Sequence, residues 1–199
     1  MSRQLKKQHT KEKIIQTGIQ VMSEQGIMAT KTLDIAKAAD LSHGSIFVHF
    51  PTKNDLIKAI IDEVGRSMSE AFLKAKKHNP TLQSVLESHL AVIGDFEAIF
   101  SQLLIEGPLL PTPVKSTLFM LNSGISHTLS QTAQKEMNDG ILHSLNPHEL
   151  FNLWNSLLYY HLAYKDVFAK GESLIQTKGP ELIKTFMTLI STKKERDNG

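Results

Sequence analysis

Ile35-Ala36-Lys37-Ala38-Ala39-Asp40-Leu41-Ser42-His43-Gly44-Ser45-Ile46-Phe47-Val48-His49-Phe50 decides the fold of this 199-residue chain. The apolar positions on either side of Asp40 have helical spacing, and each half runs for only about two turns. Helices this short do not persist alone and must pack on each other and on neighbours. Ala36 and Ala39 are small enough for the close crossing of a helix-turn-helix. Leu41 plugs the turn, and Ser42 stands where it can cap the second helix. Along that helix each residue turns by ~100°. Ile46 and Phe50 therefore share an inward face, while Ser45, Val48 and His49 share an outward one. Short outward side chains suit entry into the major groove of DNA, and the helix N-terminus favours a phosphate.

Working outward, almost every apolar segment keeps helical spacing. A helix over His9–Gln25 buries Ile14, Ile15, Gly18, Ile19 and Met22 and stops at Gly26. Gly18 inside that stripe either permits a close backbone approach or is simply tolerated. The two short helices are read as Leu33–Ala39 and Ser42–Phe50, the second ended by Pro51. Thr52 and Asp55 form a capping box for a long helix reaching about Lys77. Asn79-Pro80 opens the next helix, and another covers Phe96–Ile105. Gly107 and the prolines at 108, 111 and 113 make a rigid break before a helix over Pro113–Asn138. Asn146-Pro147 starts a helix reaching Ala169, with Glu149 placed to close its box, and the last helix covers Pro180–Thr192. The expectation is an all-α chain of about nine helices.

The quoted stretch, with Lys53-Asn54-Asp55-Leu56 after it, resembles the TetR family of bacterial transcriptional regulators. Residue types and spacing agree over residues 9–60; beyond them only helix number, length and order agree. The resemblance implies a helix-turn-helix DNA-binding domain over residues 1–54 and a helical ligand-binding and dimerisation domain over 55–199, linked by the long helix 53–77. It implies that His43, Gly44 and Ser45 open the recognition helix towards bases or phosphates. Phe47, Val48 and His49 would line the groove, Lys53 would meet the DNA backbone, and Lys31 and Thr32 would sit near phosphate. Three residues depart from the family pattern. Asp40 stands at the usual turn glycine, Phe47 where tyrosine is commoner, and Lys31 where a capping Ser or Thr is frequent. Asp tolerates left-handed backbone better than most residues.

Charge distribution points the same way. Residues 1–60 hold nine Lys or Arg against five Asp or Glu, of 22 and 20 in the whole chain. The basic excess lies in Arg3, Lys6, Lys7, Lys11 and Lys13, a footprint suited to a polyanion. The absence of cysteine excludes disulfides, thiol nucleophiles and Cys-ligated zinc. There is no Gly-rich phosphate loop, no His-Glu-x-x-His pattern and no nucleophile elbow, so neither enzymatic activity, a cofactor nor a metal is expected. The polar start and the lack of a ~20-residue apolar run lead to the expectation of a cytoplasmic protein without membrane contact. A helical adaptor that has lost DNA binding is the rival reading, favoured by Asp40 and Phe47.

In the C-terminal half, Leu150–Tyr164 and Leu182–Ile190 are apolar nearly all round. A helix of that kind needs burial on every side. The expectation is a homodimer joined by a four-helix interface containing Leu150, Trp154, Leu157, His161, Phe186 and Ile190. Two-fold symmetry then implies a palindromic double-stranded operator. The family resemblance implies a small-molecule effector, with Phe96, Phe100, Phe119, Met120, Trp154 and Tyr160 as candidate pocket residues. It also implies that the effector relieves repression.

Overall fold

The computed structural model describes residues 2–76 and 80–192. Ten α-helices occur among them: α1 (Arg3–Gln25), α2 (Thr32–Ala38), α3 (His43–His49), α4 (Lys53–Lys76), α5 (Leu82–Asp95), α6 (Glu97–Glu106), α7 (Thr112–Asn138), α8 (Pro147–Ala163), α9 (Lys165–Ala169) and α10 (Leu174–Ile190). A short 3-10 turn, Gly107–Leu109, follows α6. No strand occurs among the described residues; Leu142 and Ser191 form one isolated antiparallel bridge. None of the described helices is long and apolar enough to cross a membrane.

The chain forms two compact units. The first combines residues up to Val64 with Ala98–Leu121, and the second combines Gly65–Glu97 with the chain from Asn122 onward. In the first unit, α6 is tied back to the end of α1. Gln102 Nε2 donates to the Ser23 carbonyl, and Glu106 accepts from Ile27 and Met28. Such contacts join residues nearly eighty positions apart and leave no local mark in the sequence.

The first unit's core takes Ile14, Gly18 and Met22 of the expected α1 stripe, together with Val21, against α4, while Ile15 and Ile19 are half-buried. Ile14, Met22, Ile35, Ile46, Leu56 and Ile60 are buried. Gly18 is there for close approach: a Cβ at that position would lie 3.3 Å from Ile60 Cδ1 and 3.5 Å from Leu56 Cδ2. The Thr52–Asp55 box forms as read. Asp55 accepts from the Thr52 N–H, and Thr52 Oγ1 accepts from the Asp55 N–H.

In the second unit α10 packs against α5, α8 and α9. Three helix starts or ends differ from the sequence reading. The proposed Asn79 cap lies outside the described residues; α5 begins at Leu82, with Thr81 Oγ1 accepting from the Ser84 N–H. The segment read as one helix over 147–169 breaks at Tyr164 into α8 and α9. The last helix begins at Leu174, before Pro180. Ser173 caps it, and Glu97 accepts from the N–H groups of Leu174 and Ile175. A carboxylate at a helix N-terminus satisfies donors that have no partner within the helix. Those contacts support a start that Pro180, as a familiar first-turn residue, had suggested lay later.

Candidate nucleic-acid interface

The turn between α2 and α3 is a complete Schellman closure. Asp40 lies at φ 51°. The Leu41 N–H donates to the Ala36 carbonyl at 2.9 Å and the Asp40 N–H to the Lys37 carbonyl at 3.1 Å. Asp therefore occupies the left-handed position that the sequence comparison assigned to glycine. Ser42 then caps α3: its Oγ accepts from the Ser45 N–H at 3.2 Å, and the two hydroxyls are 2.7 Å apart. Upstream, Lys31 cannot accept a hydrogen bond through its side chain. The Asp34 carboxylate instead accepts from the Lys31 N–H at 3.1 Å, which leaves the exposed Lys31 ammonium free of capping duty.

Ile46 and Phe50 face inward, as expected, with exposures of 0% and 3%. The outward stripe is His43, Gly44, Phe47 and Val48. Val48 is 70% exposed and Phe47 43%. Ser45 and His49, read as outward, are half-buried. Ser45 turns its hydroxyl to the cap, and His49 lies close to α1. The outward face of α3 is thus rotated towards its N-terminal residues. His43 is held in place: Thr32 Oγ1 lies 3.0 Å from its Nε2, and its ring meets Phe47 edge-on with centroids 4.8 Å apart.

The basic arm is not a tail. It is the first part of α1, which starts at Arg3 with Ser2 Oγ accepting from the Leu5 N–H. Lys7 and Lys11, one turn apart, bring their charges beside α3. Burial, and then the charges of Lys7 and Lys11, hold the His49 imidazole below its ordinary pKa. Lys11 Nζ lies 5.9 Å from the Phe50 ring centroid. These two lysines lie beside α3, and the motif alone did not single them out. Their i, i+4 spacing was the available signal.

Lys53 is half-buried and donates through Nζ to the Met28 carbonyl at 3.0 Å. Burial lowers its pKa, and the Glu106 carboxylate opposes that shift. Its ammonium is engaged by the protein's own main chain, where the sequence reading had aimed it at DNA. The same stretch of chain meets Glu106, whose carboxylate accepts from the N–H groups of Ile27 and Met28.

The other candidate residues differ widely in exposure. Phe100 and Trp154 are buried and Phe96 is half-buried, while Phe119, Met120 and Tyr160 are 72%, 65% and 54% exposed. Leu150, Trp154, Phe186 and Ile190, expected at an interface between chains, are buried within this single chain. They belong to its own interior. Periodicity marks apolar residues but not which apolar face the chain's own core takes. The apolar surface left on α8 and its C-cap is instead Leu153, Tyr159, Tyr160 and Tyr164, exposed by 55%, 41%, 54% and 55%. Leu157 and His161 sit half-buried beside it. The Tyr160 ring also touches His161 and Phe168.

Residues 14–60 match the family described as bacterial regulatory proteins, tetR family. The HTH-type transcriptional repressor Rv3405c of Mycobacterium tuberculosis is 30% identical over 81 residues, covering 41% of this chain and 43% of that one. The HTH-type transcriptional regulator AcrR of Shigella flexneri is 38% identical over 53 residues, covering 27% of this chain and 25% of that one. The chain thus spans less than half the length of these curated relatives. A solved TetR-family regulator from Agrobacterium tumefaciens superposes with a TM-score of 0.77 at 16% identity, covering 94% of this chain and 100% of the other. GusR of Salmonella enterica gives 0.71 at 23% identity, covering 90% and 92%. These structural likenesses concern the fold.

Proposed function

We propose that this chain, whose residues 14–60 match the family described as bacterial regulatory proteins, tetR family, is a transcriptional repressor that binds a palindromic operator as a homodimer and releases it on binding a small molecule. The observation that carries this reading is the exposed His43–Gly44–Phe47–Val48 face of α3, beside the charges of Lys7 and Lys11. A short helix with its base-reading face exposed and cations at its flank matches the division of labour at DNA. Side chains on the outward face read base edges, and lysines hold phosphates.

In this reading Gly44 allows close approach of the backbone, and Phe47 and Val48 offer apolar contact to thymine methyl groups. Lys31 and Thr32 flank the phosphates. Ser45 and His49 shape the helix more than they read bases, and Lys53 positions the start of α4. A second copy of the chain supplies the second recognition helix, and the exposed Leu153, Tyr160 and Tyr164 stripe is the surface proposed for joining the copies. The effector would bind the conformation whose recognition helices are badly spaced for the operator.

Selection from a random double-stranded DNA library with the purified full chain tests the proposal. Recovery of an inverted repeat with half-sites about one helical turn, or a multiple of it, apart is expected. Binding without sequence preference, lost uniformly as salt rises, would overturn it in favour of a helical adaptor.

A further inference from the structure

His89 is 1% exposed on α5, in the second unit. Its Nδ1 accepts a hydrogen bond from Trp154 Nε1 at 3.0 Å. An indole nitrogen only donates, so His89 Nδ1 carries no proton and the imidazole proton sits on Nε2. Among the described residues, Nε2 is the buried side-chain nitrogen or oxygen left without a hydrogen-bond partner. Leaving a buried donor unpaired costs about 1–3 kcal/mol, and native structures keep such groups rarely.

The surroundings restrict what can meet that N–H. The rings of Phe72 and Trp154 lie 6.3 Å from the imidazole, and Phe186 stacks obliquely on Trp154 at 5.2 Å. A buried water needs about two to four polar partners, and these rings supply none beyond the single N–H. Burial holds the imidazole neutral by pushing its pKa to about 3. It therefore offers no cation to a carboxylate or phosphate, and burying an unpaired anion among aromatic rings is strongly unfavourable. A neutral molecule with one acceptor fits both constraints.

We propose that His89 Nε2 is the polar anchor of an effector site in the second unit. The site takes a neutral, largely apolar molecule whose carbonyl, ether or aromatic nitrogen accepts that hydrogen bond, with Phe72 near the ring and Trp154 already engaged at Nδ1. The assignment rests on the reading of the chain as an effector-responsive regulator and names the chemistry of its ligand. Trp154 already stood among the candidate pocket residues. His89 completes it by supplying the directional contact that apolar walls lack.

Two probes of nearly equal shape separate the anchor from mere hydrophobic uptake. Acetophenone carries a carbonyl; α-methylstyrene carries a methylene in its place. Binding to the 199-residue chain is followed by the Nε2 resonance of 15N-labelled His89 and by fluorescence of Trp154, the single tryptophan of the chain. Acetophenone is expected to bind saturably, about fivefold to tenfold more tightly than α-methylstyrene, and to be the one that shifts the Nε2 resonance. His89→Phe should abolish the preference. Equal affinities, an unmoved Nε2 resonance, no saturable binding of either probe, or a preference that survives His89→Phe would each overturn the proposal. The resonance is read on the unaltered protein, so a misfolded variant does not shelter the idea. Operator binding is measured separately without probe, so failure of the regulator reading and failure of the anchor give different results.

Discussion

The Glu106 carboxylate grips the main chain at Met28: one oxygen accepts the Met28 N–H at 2.6 Å while the other accepts the Ile27 N–H at 2.8 Å. The Met28 carbonyl in turn accepts from Lys53 Nζ. One residue of the turn after α1 is thus held from α6 through its N–H and from α4 through its carbonyl. Gly26, at φ 88°, makes room for this, because a Cβ there would lie 2.8 Å from Glu106 Oε1. Glu106→Ala leaves two amide donors without their acceptor and should lower stability by about 1–3 kcal/mol. Urea denaturation measures it; an unchanged midpoint would show that water replaces the carboxylate at no cost.

The outward face of α3 makes few demands on the core, so charge placed there should separate binding from folding. Val48→Glu puts a carboxylate where DNA phosphates would crowd it. Operator affinity should fall by at least about a hundredfold, with the thermal midpoint unchanged. Fluorescence anisotropy and calorimetry give the two numbers, and retained affinity would mean that α3 is not the reading helix.

Lys7 and Lys11 act through charge, so their removal should weaken all DNA sequences alike. Each Lys→Ala change is expected to reduce the slope of log affinity against log salt by about one. Titrations at several salt concentrations measure the slope. If the slope is unaltered in Lys7→Ala and in Lys11→Ala, the N-terminal part of α1 does not touch phosphate.

His89 gives stability a defined pH dependence. Its folded pKa, about 3, lies below the ordinary value of 6.5. The unfolded chain therefore binds a proton that the native state refuses. The contribution is fully present above pH 6.5 and is lost as pH falls towards 3, at up to about 1.4 kcal/mol per pH unit. Urea unfolding between pH 7.5 and 5 should show this slope in the parent and a slope shallower by up to one proton in His89→Phe. Parallel slopes in the two proteins would mean that the imidazole takes up its proton without unfolding.

Leu153 presents 55% of its surface to solvent on α8, in line with Tyr160 and Tyr164. If that stripe joins two copies, Leu153→Glu should convert the dimer to a monomer at micromolar concentration by light scattering. Leu150→Glu would instead unfold the second unit, because Leu150 is wholly buried within the chain. A dimer unaffected by Leu153→Glu would place the interface on another face.

What could be read from the residues in order was whatever a single helix or turn decides for itself. The Ser42 cap, the Thr52–Asp55 box, the left-handed Asp40 and the inward Ile46–Phe50 pair are interactions among residues at most five apart, so spacing and side-chain chemistry suffice. The tertiary structure alone decided which partner each apolar face would meet. It buried Trp154 and Phe186 in the chain's own interior, started α10 at Leu174 on Glu97, and turned Lys53 onto Met28. It also brought Glu106 to Ile27 across 79 positions. Hydrophobicity is not directional and carries no address. A run of apolar residues announces that it will be covered, and only the packed chain says by what.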